Sequence, residues 1–189
     1  MRHESGLTPF QTLGPFFDFG LVIPDGGIVA RPAAVGRHIT IEGTVRDGAG
    51  DVLPDAVIEI WQANAAGKYR HPDDHQNAPL DPACDGFGRA ATDDLGHFAF
   101  TTIVPGRVPA SDGSLQAPHL VVGVLARGLL TRLVTRMYFE DESSNAEDAV
   151  LALVPPERRA TLLAKRTGAD RYRFDIVLQG PGETVFFDV

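Results

Sequence analysis

The chain has 189 residues, 43% of them apolar and 22% charged, which favours one soluble domain able to bury a core. Its net charge of −8 disfavours a nucleic-acid binder, because reading a phosphate backbone requires a positive surface. The chain has no apolar run long enough to span a bilayer, no apolar stretch in Met1–Pro9, and a single cysteine, Cys84. The expectation is a cytoplasmic protein without disulfides, membrane partner or cysteine-based zinc site.

Residues 1–36 read as an arm. Thr8–Phe17 holds two prolines, a glycine and three phenylalanines with neither helical nor strand period. Such a segment must lie along another surface, either its own domain or a partner chain. From 37 to 189 the pattern is that of a β domain. His38–Arg46 alternates, Asp47–Asp51 is turn chemistry, and Ala56–Gln62 is a second strand placed to form an antiparallel hairpin with the first. Leu95–Ile103 alternates with Phe98, Phe100 and Thr102 on one face, and His119–Ala126 reads as a buried strand. Leu133–Phe139, Tyr172–Leu178 and Glu183–Phe187 follow. Pro155–Arg166 is the one helical segment, with proline at its start and basic residues at its end. The class expected is all-β: an antiparallel β-sandwich with long loops, an N-terminal arm and one short helix near 155–166.

Glycine (20) and proline (14) are frequent, and the longest loops run from about 63 to 91 and from 105 to 113. Loops of this length in a compact domain are usually functional. The first carries Tyr69, His71, Asp73, Asp74 and His75. His71 and His75, spaced His-x-x-x-His in a loop, lack the helical face that would aim both rings at one metal. Tyr69 could act as a phenolate ligand or simply pack on the loop base. His119 opens an apolar strand whose next same-face residue is Val121, so a hydrogen-bonded buried histidine is favoured over a ligand.

Four segments in order, Trp61–His71, Ala78–Pro82, Phe87–Asp93 and Arg132–Phe139, resemble the intradiol ring-cleaving dioxygenases. The resemblance runs from about residue 8 to the end and is greatest to the alpha chain of the family's two-chain members. It implies a ferric iron held by two tyrosines and two histidines of a partner beta chain, with a catechol acid and dioxygen as substrates. In this chain Tyr69 matches the first tyrosine and His119 the first histidine. Val108 and Val121 stand at the other two ligand positions, and Gln116 stands where the family has an active-site arginine. No iron is therefore expected here, and Tyr69 and His119 are expected to form a hydrogen-bonded pair in a metal-free pseudo-site. The resemblance further implies that the arm residues Thr12, Gly14 and Pro15, together with Arg127, line the beta chain's pocket. It also implies a higher-order alpha–beta oligomer.

Two other readings remain at this point. One is a non-catalytic β-sandwich module that binds an aromatic acid or carbohydrate. The other is a self-sufficient enzyme holding iron through Tyr69, His119 and His71 or His75.

Overall fold

Strand periodicity sets which side chains turn inward. Along β1 (His38–Arg46) Ile39 and Ile41 are buried, and along β4 (His97–Ile103) Phe98, Phe100 and Thr102 are buried, as alternation predicts. The computed structural model describes residues 20–188. Its other strands are β2 (Val57–Trp61), β3 (Phe87–Ala91), β5 (His119–Leu125), β6 (Leu133–Phe139), β7 (Leu163–Gly168), β8 (Arg171–Arg173) and β9 (Ile176–Val177). They join in the order β3-β2-β5-β6-β7-β8-β1-β4, with β9 also on β1. Ile39, Ile41, Phe100 and Tyr172 share one core with Ile58, Ile60, Val122 and Met137. The two halves of the sheet therefore close over a common interior.

The sheet is mixed, which corrects the antiparallel sandwich. β6/β7, β1/β8 and β1/β9 pair parallel, while β1/β4, β2/β3, β2/β5, β5/β6 and β7/β8 are antiparallel. Residue period does not encode strand direction. Here the long connection 140–162 returns the chain so that β7 enters parallel to β6. The expected β1–β2 hairpin is also absent. The turn after β1 closes on itself, with Leu53 N–H donating to Val45 O (3.0 Å). Pro54, which has no N–H, then helps release the chain to the other half of the sheet. Glu183–Phe187 contributes a bridge to Val134 instead of a strand.

The helix expected at 155–166 is replaced by a different arrangement. An α-helix occupies Ala149–Leu153, flanked by 3₁₀ turns at Ser143–Glu147 and Arg159–Leu162, and β7 follows. Asp148 caps the helix, its carboxylate accepting from Val150 N–H and Leu151 N–H. Pro155 and Pro156 end that helix instead of starting one, because a residue before proline is driven to extended backbone; Val154 has ψ 132°.

Residues 26–30 lie between the two edge strands. Gly26 O accepts from Arg89 N–H of β3 (2.9 Å), and Gly27 O accepts from Thr101 N–H of β4 (2.9 Å). Gly88 permits this approach, since a Cβ there would lie 2.5 Å from Val29 Cγ2 and 2.7 Å from Gly26 O. Val29 and Ala30 are consequently buried against this chain's own sheet.

Candidate functional site

The loop after β2 is tied into a fixed shape by its own polar groups. Asn64 Oδ1 accepts from Ala66 N–H and Lys68 N–H, and Lys68 Nζ donates to Asp74 O, Gln76 O and Asp74 Oδ1. The two side chains of the Lys68–Asp74 ion pair are only 9% and 7% exposed. Burial alone would raise the Asp74 pKa, but backbone donors from Tyr69 and Gln76 and the Lys68 ammonium hold the carboxyl below its ordinary value. Gly67 has φ +76°, and a Cβ there would lie 2.2 Å from Arg107 O, so only glycine lets the two long loops meet.

This frame holds Tyr69 against Trp61, the rings stacked at 5.6 Å and 11°, while His71 meets Trp61 edge-on at 6.2 Å. Burial raises the Tyr69 pKa and keeps the phenol protonated. From the second loop, Gln116 N–H donates to Val108 O (2.9 Å), which fixes Val108 beside Gln116. Trp61, Tyr69, His71, His75, Val108 and Gln116 share a cleft of about 540 Å³, within the size range of small-molecule sites.

Behind the cleft lies a buried polar group of side chains. His119, 4% exposed, donates from Nδ1 to Ala117 O at 2.8 Å, which leaves Nε2 as the lone-pair nitrogen. Burial, and then the Arg136 charge, push its pKa down to about 4, so the ring is neutral near pH 7. Asp148, 1% exposed, accepts from Ala117 N–H (2.8 Å) and Tyr138 O–H (3.0 Å) besides capping the helix. Arg136 Nη1 donates to Gln116 Oε1 (2.7 Å) and to Tyr138 OH (3.3 Å). Burial raises the Tyr138 pKa well above its ordinary value.

The structure thus brings Tyr69, Val108 and Gln116 together and buries His119 close behind them. Val121 lines an adjoining hollow with Arg132, Val134, Arg136 and Phe187. The expected Tyr69–His119 hydrogen bond is corrected. His119 spends its N–H on Ala117 O, Tyr69 is held by stacking on Trp61, and no hydrogen bond links the two side chains. Arg127 lies roughly 20 Å from His119, past the far end of β5, with Nε 2.7 Å from Asp55 Oδ2. Thr12, Gly14 and Pro15 lie outside the described residues. Sequence reading missed Arg136, Tyr138 and Asp148. Alternation along Arg132–Phe139 puts Arg132 and Arg136 on one face, but nothing local shows that Arg136 stands opposite Val121.

The donor set does not fit a ferric ion. Tyr69 and His119 offer one phenol and one imidazole nitrogen, Val108 and Val121 offer no lone pair, and the Arg136 cation acts on both remaining donors. His71 Nδ1 accepts from Asp73 N–H (3.2 Å). Among the described residues no group of three or more His, Cys, Asp or Glu side chains is placed to hold a metal ion.

Fold and site together define a β protein with a cleft lined by aromatic and polar side chains from two long loops. The family model described as "Dioxygenase" matches residues 28–180, and the chain belongs to that family of intradiol ring-cleaving enzymes. It is 43% identical to the protocatechuate 3,4-dioxygenase alpha chain of Burkholderia cepacia, over 96% of this chain and 97% of that one. It is equally similar to the alpha chain of Pseudomonas putida, over 96% of each. The beta chain of the Burkholderia cepacia enzyme is 35% identical over 79% of this chain and 68% of its own length. Among solved structures, the dioxygenase domain of a carbohydrate-binding fusion protein from Streptomyces sp. SirexAA-E is 27% identical. It has a TM-score of 0.62 and covers 82% of this chain and 87% of that one. No helix among the described residues is long and apolar enough to cross a membrane.

Proposed function

We propose that this chain is the non-iron-binding alpha subunit of a protocatechuate 3,4-dioxygenase, working in a cytoplasmic alpha–beta assembly. The complex cleaves 3,4-dihydroxybenzoate between its hydroxyl-bearing carbons. Both atoms of one dioxygen enter the product, 3-carboxy-cis,cis-muconate, so the reaction balances without an external reductant. The ferric iron belongs to the beta partner. The observation that carries this reading is the pair of valines, Val108 and Val121, at ligand positions in a chain whose likeness to alpha chains runs end to end.

In this reading the alpha chain builds one wall of the partner's pocket. Thr12, Gly14 and Pro15 contribute to that wall, residue types suited to it because glycine admits close backbone approach to a ring and proline restricts the chain. Arg127 supplies a positive charge that offsets the chain's net −8 as a carboxylate substrate approaches. Its side chain is 71% exposed, so its guanidinium is available to an interface that this chain's own cleft does not reach. The relatives named above are dioxygenase chains, which favours the enzyme-subunit reading over the binding module.

Iron content and visible absorption test the proposal. The chain purified alone should be colourless and free of stoichiometric iron, and co-expression with the beta partner should give a coloured, active complex. Stoichiometric iron with tyrosinate-to-metal colour in the isolated chain would overturn it.

A further inference from the structure

The mismatch with iron goes beyond the two valines, and we propose that Arg136 is a built-in cation that takes the metal's place and excludes metal from the pseudo-site. This rests on reading the chain as the non-iron subunit and deepens it. Arg136 is the residue directly opposite Val121 in the β5–β6 register, where opposed side chains have their Cβ atoms about 5 Å apart. The resemblance assigns position 121 to the second histidine ligand, so Arg136 stands beside that ligand position.

Hydrogen bonds hold its guanidinium toward the cleft. Nη1 reaches Gln116 Oε1 at 2.7 Å and Tyr138 OH at 3.3 Å, and Tyr138 O–H is fixed in turn by buried Asp148. By the resemblance, Gln116 stands where the family has an active-site arginine. Here the guanidinium arrives from β6 instead, with the Gln116 amide as its acceptor. Burial is the main influence on both groups, raising the Tyr69 pKa and lowering that of His119; beside it the Arg136 charge favours the phenolate and opposes protonation of the imidazole. A ferric ion would bias those same two groups in the same direction. Arg136 therefore biases the surviving donors in the metal's direction, while burial outweighs it at Tyr69 and keeps the phenol protonated. A multivalent cation brought within bonding distance of them would face a fixed like charge in a half-buried site, where screening is weak.

On this account, restoring the lost donors is not enough to restore a metal site. The test compares full-length chains carrying Val108→Tyr and Val121→His with Arg136 kept, with added Arg136→Gln, and with added Arg136→Lys. Each is loaded with ferric citrate, desalted, and assayed for bound iron and tyrosinate-to-iron absorption. The Gln variant should bind iron at least about a hundredfold more tightly than the Arg and Lys variants. Equal retention with Arg136 kept overturns the proposal, and so does a folded Gln variant that holds no iron. Iron in the native chain would instead overturn the non-iron-subunit reading, so the two failures are distinguishable. If the engineered chains do not fold, thermal melting in the native background decides. Arg136→Lys should melt closer to the native chain than Arg136→Met, which keeps length and removes charge. A Met variant as stable as the Lys variant would assign Arg136 a packing role and overturn the proposal.

Discussion

Strand β5 has two ends of opposite character. At the His119 end the polar groups are buried or half-buried and hydrogen-bonded: His119 to Ala117, Tyr138 to Asp148, Arg136 to Gln116. Past the other end, Arg127 forms a surface ion pair with Asp55, their side chains 71% and 32% exposed. The first end keeps the framework of a catalytic site without a metal's full donor set. A buried polar group there cannot be lost singly, because its partners would be left unpaired in a low-dielectric interior. The second end carries an exposed ion pair, of a kind that contributes little to folding and is available for recognition. On the proposed reading the cleft has a structural part, and the exposed pair is the better candidate for function.

Removing the Asp148 carboxylate should have the largest effect. Asp148→Ala leaves Ala117 N–H, Tyr138 O–H and the helix N–H groups of Val150 and Leu151 without their acceptor. At about 1–3 kcal/mol for each buried unpaired group, less local relaxation, the loss should reach about 4 kcal/mol or more. Urea denaturation measures it, and a loss below about 1 kcal/mol would place Asp148 with the exposed charges.

His119 should give the next effect, and it depends on pH. Its pKa is about 4 in the folded chain against 6.5 for the unperturbed group. Between those values the unfolded chain binds a proton that the folded chain refuses. Stability is therefore full above about pH 6.5 and declines as pH falls toward 4, by up to about 3 kcal/mol. His119→Gln removes this dependence, so its stability should fall less steeply than that of the native chain across the same window. Parallel curves would show that His119 is not the source.

How much of this was legible in the sequence follows from the range of the interactions. The inward faces of β1 and β4 were readable because alternation is local, and Tyr69, Val108, His119 and Val121 were located through ordered motifs. The helix failed at Pro155–Pro156, where a proline pair serves to start a helix or to stop one according to what precedes it. Asp148, the cap that settles the matter, lies upstream and gains its weight from Ala117 and Tyr138, distant in sequence. Gly88 and Arg89 read poorly as strand because Gly88 is selected for the close passage of residue 26, a contact no local pattern reveals. Arg136 was visible as a residue of a recognised segment, but its role depends on the β5–β6 register and so needed the fold.

Arg127 should give the smallest effect on stability and the most specific effect on function. An exposed ion pair contributes no more than about 1 kcal/mol, so Arg127→Ala should leave thermal melting of the complex nearly unchanged. If its guanidinium attracts the substrate carboxylate in ground and transition states alike, KM for 3,4-dihydroxybenzoate rises roughly tenfold while kcat holds. Asp55→Ala separates the two roles of the pair. It removes the partner but keeps the guanidinium, so KM should stay near the native value or fall as the cation loses its neutralising neighbour. If both substitutions raise KM and weaken alpha–beta association alike, the pair is a structural strut of the interface. If only Arg127→Ala raises KM, the charge itself acts on the substrate, and the working end of this chain's β5 is the one farther from its vestigial cleft.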